Sequence, residues 1–191
     1  ANGIVFDPVL QQFIAATENG VERLSARLVD GHVVAKPAGA LPGAVAAAVP
    51  VLAISDDAQT TAAMSGDHHV LVWDKALKDY RVLDDMRGVE KIDVSPSGKW
   101  VATYGSTRGL VVVDLETGER HNLMKSVGRY LSLAFSPDGQ WLVSGERACY
   151  RLWSTSNWKQ EKLLPREGLG TFGSIAHSSD GRLFAVAHSR S

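Results

Sequence analysis

The sequence predicts an all-β chain built from one repeated unit of about 40 residues, and three observations support this. A serine that opens a turn recurs at positions 55, 95, 136 and 178, so the spacings are 40, 41 and 42 residues. A tripeptide of two apolar residues and one polar residue ends at positions 74, 114 and 154, in phase with the serines. Between these markers, apolar residues recur with period two, as in strands. Repeats of this length and composition are typical of β-propeller blades.

Within a unit, each element follows from the local pattern. Leu133 and Phe135 alternate with small residues, which predicts a first strand. Pro137-Asp138-Gly139 predicts a turn, because Pro presets φ and Gly accepts positive φ. A second strand begins at Trp141, a third strand ends at Trp153, and a fourth, more polar strand follows another turn. The predicted strands lie near 49–54, 60–65, 69–73, 80–83, 89–94, 100–104, 110–113, 120–124, 130–135, 141–145, 149–153, 160–164 and 183–187.

The repeats divide the chain into four four-stranded antiparallel meanders and part of a fifth. Phe6-Asp7-Pro8 opens a degenerate first copy. Residues 75–86 taken alone have the pattern of a short amphipathic helix, but they align without gaps with a turn and strand of the next unit. We therefore predict a turn and a strand here, because the repeat is stronger evidence than local helix propensity. The predicted units are about 1–45, 46–85, 86–126, 127–166 and an incomplete 167–191.

Composition excludes several classes of protein. The 191 residues are 45% apolar and 21% charged, with a net charge of −1. These values exclude a disordered chain and argue against a dedicated nucleic-acid binder. The longest apolar run, 44–54, is too short to span a bilayer, so no membrane insertion is expected. The lone Cys149 forms no internal disulfide, which favours a reducing compartment, and we predict a cytoplasmic location.

The repeat residues resemble those of the WD40 family. The matches are the Ser-Pro-Asp-Gly turn at 136–139, the Val-Trp-Asp ending at 72–74 and the preceding Ser65-Gly66-Asp67. The residue pattern of segment 135–145 also resembles that of WD40 regions in large bacterial regulatory proteins, including multidomain Ser/Thr kinases. The Gly-His pair that precedes each first strand in the family is absent in phase, so its buried hydrogen-bond network is incomplete here. We therefore expect the blades to cohere mainly through apolar packing.

The resemblance also implies a ring. WD40 propellers typically have seven blades, and about four and a half are present, so we expect a segment of a larger, seven-bladed type of ring. An open arc leaves apolar blade faces and a strand edge uncovered. Residues 1–191 alone are therefore expected to associate in solution and to melt below a longer chain that completes the ring.

No group of residues in the sequence has the pattern of a catalytic, metal or cofactor site. The six histidines are scattered, and His177 aligns with Phe135 as a packing residue. Cys149 is expected to be a buried, inert thiol, and Ser144 aligns with a plain strand position. The letters of a Gly-rich phosphate loop at 168–173 precede a strand instead of a helix. We predict no catalytic, cofactor-binding or metal-binding residues.

Function is therefore expected at a propeller face. Loops leading into first strands and turns between second and third strands converge around the central channel, where partner proteins commonly dock in the WD40 family. By position this face includes Gly88, the turns 66–67 and 106–107, and Thr171 with Phe172. The candidate partner-binding residues are Glu90, Lys91, Arg129, Tyr130, Glu146 and Arg147.

Two functions stay open at this point, and a third hypothesis is that the segment is a structural piece with no activity of its own. The leading prediction is a non-enzymatic interaction scaffold or sensor that binds a protein partner or another domain of its parent chain. The alternative is an enzyme-type propeller, lactonase-like or peptidase-associated, with a metal or substrate site in the central channel. That alternative needs acidic or histidine ligands repeated at the inner ends of several blades. The aligned positions Gly88, Arg129 and Thr171 are chemically mixed instead.

Overall fold

The computed structural model describes residues 3–17, 19–44, 51–65, 69–76, 78–125, 132–146, 148–166, 175–178 and 180–186. In these ranges the chain forms strands and turns and no helix. No described segment therefore offers a helix that is long and apolar enough to cross a membrane.

The strands form four four-stranded antiparallel sheets and one two-stranded sheet, and each sheet is a meander in sequence order. We call these sheets blades 1 to 5. Blade 1 is β1 (Ile4–Asp7), β2 (Gln12–Thr17), β3 (Gly20–Val29) and β4 (His32–Ala40); blade 2 is β5 (Leu52–Ile54), β6 (Thr60–Met64), β7 (Val70–Asp74) and β8 (Tyr80–Leu83). Blade 3 is β9 (Val89–Val94), β10 (Trp100–Gly105), β11 (Gly109–Asp114) and β12 (Arg120–Met124). Blade 4 is β13 (Ser132–Phe135), β14 (Trp141–Gly145), β15 (Cys149–Ser154) and β16 (Gln160–Pro165), and blade 5 is β17 (Ile175–His177) and β18 (Phe184–Val186).

The all-β prediction is confirmed, and most strand boundaries agree within one or two residues. The segment with helix-like character, 75–86, contains strand β8 and no helical residue among those described. Strand β5 begins three residues later than predicted, at Leu52. Positions 49–50, 130–131 and 187 of the predicted strands lie outside the described residues.

The blades stack side by side with their first strands together. Strand β1 contacts β5, β5 contacts β9, β9 contacts β13, and β13 contacts β17. Because the chain returns to this inner position once per blade, the first strands all begin at one end of the stack. The turns that follow the first strands lie at the other end. This is the arrangement of propeller blades around an axis.

The core lies between neighbouring blades, as the incomplete polar network led us to expect. Between blades 2 and 3, Ala62 and Val70 pack against Val101 and Val113, and all four side chains are buried. Between blades 3 and 4, Tyr104 and Leu110 pack with Leu142. Strands in these central blades are covered on both faces, so burial of apolar surface supplies most of the cohesion.

The turns after the first strands repeat one hydrogen-bond pattern. In blade 4, the Trp141 N–H donates to Ser136 Oγ at 3.0 Å and the Gln140 N–H donates to Asp138 Oδ1 at 3.0 Å. In blade 5, the Leu183 N–H donates to Ser178 Oγ at 3.0 Å. The recurring serine therefore links its turn to the start of the second strand, which explains its spacing in the sequence.

Trp158, in the turn before β16, packs against a neighbouring blade and is not exposed. Its ring meets Trp100 edge-on at 5.3 Å and stacks on His121 at 5.5 Å. Trp158 precedes β16 of blade 4, whereas both partners belong to blade 3. The side chain therefore packs across the boundary between the two blades. A turn position gave no sign of this in the sequence, because its partners are distant in the chain.

Candidate partner-binding face

The loop into β9 and the turn between β10 and β11 meet at one end of blade 3. The Ser106 N–H donates to the Gly88 carbonyl at 3.2 Å. A Cβ atom at Gly105 would lie 2.5 Å from that carbonyl oxygen, so this contact requires glycine. The structure thus brings together Gly88 and the turn 106–107, which the sequence assigned to one face.

Charged groups hold this loop in place. Arg108 forms an ion pair with Asp85 across the two segments. The Arg120 guanidinium donates to the Asp84 carbonyl at 3.0 Å, and Met86 is buried beneath the loop. A loop anchored at three points presents its neighbouring side chains in a defined arrangement.

Two predicted site residues follow this loop on β9. Glu90 is half-buried, and Lys91 is exposed. Lys91 lies opposite Tyr104 in the register, and Tyr104 is fully buried beneath the strand pair. This part of the face is therefore packed at its base, and the Lys91 side chain is open to solvent.

In blade 4 the predicted residue Glu146 is buried, and its carboxylate forms an ion pair with Arg151 on β15. Its backbone carbonyl accepts a hydrogen bond from the Arg166 guanidinium at 3.0 Å. Glu146 thus ties its turn to β15 and to the segment after β16. Several other residues assigned to this face lie outside the described residues, namely Arg129, Tyr130, Arg147, Gly66, Asp67, Thr171 and Phe172.

The side chains with the most reactive groups are placed as packing residues. Cys149 is buried, and burial together with the nearby Glu146 charge raises the pKa of its thiol. The His177 ring packs on Phe184 with centroids 5.9 Å apart, and burial lowers the pKa of the imidazole. Within the described ranges, His, Cys, Asp and Glu side chains form no group of three or more that could hold a metal ion.

Asp93 on β9 is the titratable residue that sequence reasoning missed. Its Oδ2 accepts a hydrogen bond of 2.6 Å from the Phe135 N–H of β13, so the carboxyl joins blades 3 and 4. Burial raises the pKa of Asp93 to about 7, and the negative charge of Asp56 adds to this effect. The alternation of β9 places Asp93 on the side opposite Ile92 and Val94, and it does not show what covers that side. The signal that could have identified Asp93 is the propeller prediction itself, because both faces of an inner strand are covered.

Ser144 also has a role that the alignment did not suggest. It is fully buried, and its Oγ accepts a hydrogen bond of 2.9 Å from the Trp153 indole N–H. This buried hydrogen bond links the second and third strands of blade 4. In blade 2, Ala63 stands at the matching register position, and the Trp73 indole instead donates to the Pro42 carbonyl at 3.0 Å.

Comparisons with known proteins agree with this architecture. Residues 123–154 match the model of the family described as WD domain, G-beta repeat, so the chain carries a WD40 repeat there. A solved structure titled Kuenenia stuttgartiensis Hydrazine Synthase superimposes with a TM-score of 0.73 at 17% sequence identity. The match covers 97% of this chain and 54% of the other, so this chain spans about half of that one. At this identity the likeness shows the fold alone. No curated protein matches the sequence.

Proposed function

We propose that this chain is a non-catalytic binding module. The face that carries the loop into β9 and the turn 106–107 binds a protein partner or another domain of the parent chain. WD40 repeats generally mediate protein–protein interaction, and residues 123–154 match that repeat. The observation that most supports the proposal is the hydrogen bond between Ser106 and Gly88, which joins the turn 106–107 to the loop that enters β9. A surface that is ordered before binding loses less conformational entropy when it binds.

The chemistry of this face suits a partner of mixed charge. Glu90 and Lys91 lie side by side, one half-buried and one exposed. Charge pairs at the rim of an interface contribute to specificity and association rate more than to affinity. On sequence position alone, we add three residues to the proposed surface: Arg129, Tyr130 and Arg147. Arginine and tyrosine are enriched at interfaces.

A finer part of the proposal concerns the parent protein. We infer that the chain belongs to a larger ring in a cytoplasmic multidomain regulatory protein of bacterial type. The support is the style of residues 135–145 and the lone cysteine. The reading frame on both sides of residues 1–191 tests it. Further WD40 repeats and a kinase or nucleotide-hydrolysing domain are expected, and a frame that encodes neither contradicts this part.

Site-specific photo-crosslinking in cells of the source organism tests the face. A photoreactive phenylalanine analogue replaces Lys91, and the control places it at Ser97, which is exposed at the opposite end of blade 3. We expect a discrete protein adduct, or a crosslink to another domain of the parent, from position 91 alone. The charge reversal E90K, made beside the photoreactive residue at position 91, is expected to abolish it. Equal labelling from both positions, or none at position 91, contradicts the proposal.

A further inference from the structure

Blade 1 differs from the other blades in its outer hairpin. Strands β3 and β4 have 10 and 9 residues, whereas the third and fourth strands of blades 2 to 4 have four to six. Strand β2 pairs with β3 only as far as Leu24, so residues 25–36 form a two-stranded extension. We call these residues the arm. Asp30 and Gly31 close it with φ of 50° and 79°, the signature of a tight type I′ turn.

The arm extends past the rest of its blade. At about 3.3 Å per residue, Leu28 lies about 13 Å beyond Leu24 along the strand. It projects from the end that carries the turns after the first strands. The proposed partner face with Lys91 lies at the opposite end. The arm is therefore a separate structure from that face.

One side of the arm is apolar and open to solvent. Leu28 and Val33 pair across the two strands, and their exposed fractions are 71% and 73%. In the turn after β1, Val9 and Leu10 are also exposed. The matching turn positions of blade 4 are Asp138 and Gly139. Of the twelve large apolar side chains found exposed among the described residues, seven belong to blade 1.

The other side of the arm carries two cations beside Val29 and Val34. Arg27 and Lys36 are exposed, and neither has a carboxylate within ion-pair distance among the described residues. Asp30 carries a negative charge at the tip. A bilayer is disfavoured as the target, because insertion of Leu28 and Val33 tip-first would carry this carboxylate past the headgroups into the hydrocarbon. Addition of a strand to the β4 edge is also disfavoured, since Lys36 and Pro37 block edge pairing.

We propose that the arm is a docking element that inserts Leu28 and Val33 into an apolar cleft of a partner protein. Carboxylates of the partner border this cleft and pair with Arg27 and Lys36. Charge complementarity and the local concentration of exposed aliphatic side chains identify this occupant. The tight turn keeps the arm short and preorganised, which lowers the entropic cost of docking.

Selection of displayed random 16-residue peptides on the whole chain tests the arm. We expect peptides rich in Leu, Ile or Phe together with Asp or Glu. Fluorescence anisotropy with the recovered peptides is expected to show at least a tenfold higher Kd for L28S/V33S. The variant R27E/K36E is expected to bind these peptides more weakly and to select peptides with Lys or Arg in place of the acids. Because all four positions are exposed, these variants should keep the melting temperature of the parent chain.

Two control variants show whether peptide binding depends on the arm itself. L183S removes a leucine with a similar exposed fraction, 72%, in blade 5, and it should leave peptide binding unchanged. E90K/K91E should also leave it unchanged, so failure of the proposed partner face does not affect this test. The proposal is overturned if no recovered peptide depends on the arm or if the wild type selects basic peptides. Arm-dependent binding to phosphatidylcholine–phosphatidylserine vesicles, or arm-dependent dimers in ultracentrifugation, also overturns it.

Discussion

Two tryptophans at the ends of third strands use different hydrogen-bond acceptors. The Trp153 indole donates to Ser144 Oγ within blade 4, whereas the Trp73 indole donates to the Pro42 carbonyl from the end of blade 1. Both side chains are buried. A buried N–H without a partner costs about 1–3 kcal/mol, so each blade supplies the acceptor that its own sequence allows.

We expect Trp153→Ala to lower the free energy of unfolding by about 3–5 kcal/mol, because it leaves a cavity between blades 3 and 4. Ser144→Ala should cost less, about 1–3 kcal/mol, since it removes only the acceptor of the indole N–H. Urea denaturation measures both changes. Leu183→Ala, at an exposed position, serves as the control and should change stability by less than about 0.5 kcal/mol. A loss below about 1 kcal/mol for Trp153→Ala would contradict its inward placement.

The desolvated carboxyl of Asp93 makes stability depend on pH. Its pKa is about 7 in the folded chain and 3.8 in the unfolded chain. The protonated carboxyl of Asp93 contributes fully to the free energy of unfolding below pH 4. This contribution is lost as pH rises through 7, because the unfolded chain releases the proton at lower pH than the folded chain. The difference corresponds to about 4 kcal/mol at most.

The variant Asp93→Asn is expected to remove this dependence, since its amide oxygen still accepts the Phe135 N–H and carries no charge. At pH 8 the variant should be more stable than the wild type by a few kcal/mol, and at pH 4 the two should be similar. Denaturant titrations at a series of pH values measure the difference in the free energy of unfolding between the two proteins. Groups that both proteins share, such as Asp114, affect both values equally and do not change this difference. A constant difference from pH 4 to pH 8 would show that Asp93 does not titrate in this range.

At the scale of elements, the recurring turn is the unit that the repeat encodes. Its serine, its third-position acid and its glycine act locally, so their hydrogen bonds could be predicted from the sequence. The neighbouring blade modifies the turn. Gly98 in blade 3 lies against the Thr60 hydroxyl of blade 2, whereas no atom of the described residues lies within 4 Å of a Cβ built on Gly139 in blade 4.

These two glycines allow a matched comparison, since their φ values are +69° and +68°. Gly139→Ala should cost about 1–2 kcal/mol, which is the strain of an alanine at positive φ. Gly98→Ala should cost more, because the added methyl group also collides with Thr60. The double variant with Thr60→Ser keeps the hydroxyl and therefore should not recover the loss, whereas Thr60→Gly should recover part of it. Thermal unfolding measures all four proteins, and equal losses at the two glycines would rule out the inter-blade contact.

At the scale of the whole molecule, stability is distributed unevenly among the blades. All six residues of β11 are buried, and β10 is nearly as enclosed, because blades 2 and 4 cover both faces of blade 3. The arm and strand β16 are exposed along most of their length. Chains of stacked units derive much of their stability from the contacts between neighbours.

Native-state hydrogen exchange should reveal this gradient. We expect the slowest exchange in β10 and β11, where opening requires separation of blade 3 from two neighbours. The fastest exchange among the strands is expected at residues 25–36, whose hydrogen bonds are open to water. Mass-spectrometric exchange of the whole chain at neutral pH provides the measurement. Uniform protection across the blades would mean that the chain opens as one cooperative unit.

The sequence by itself determined the blade: its period of about 40 residues, its strand order and its serine turn. These features depend on residues close together in the chain, and period-two patterning and turn chemistry are local signals. Local repetition also resolved 75–86 correctly as turn and strand. Only the tertiary structure decided what each side chain meets on the next blade. Asp93 against the Phe135 N–H, Trp158 across blades 3 and 4, and Gly98 against Thr60 all join residues of different repeats. The apolar–polar alternation of a strand is the same whether its polar side faces water or a neighbouring sheet. Only the packing of the next blade decides between the two.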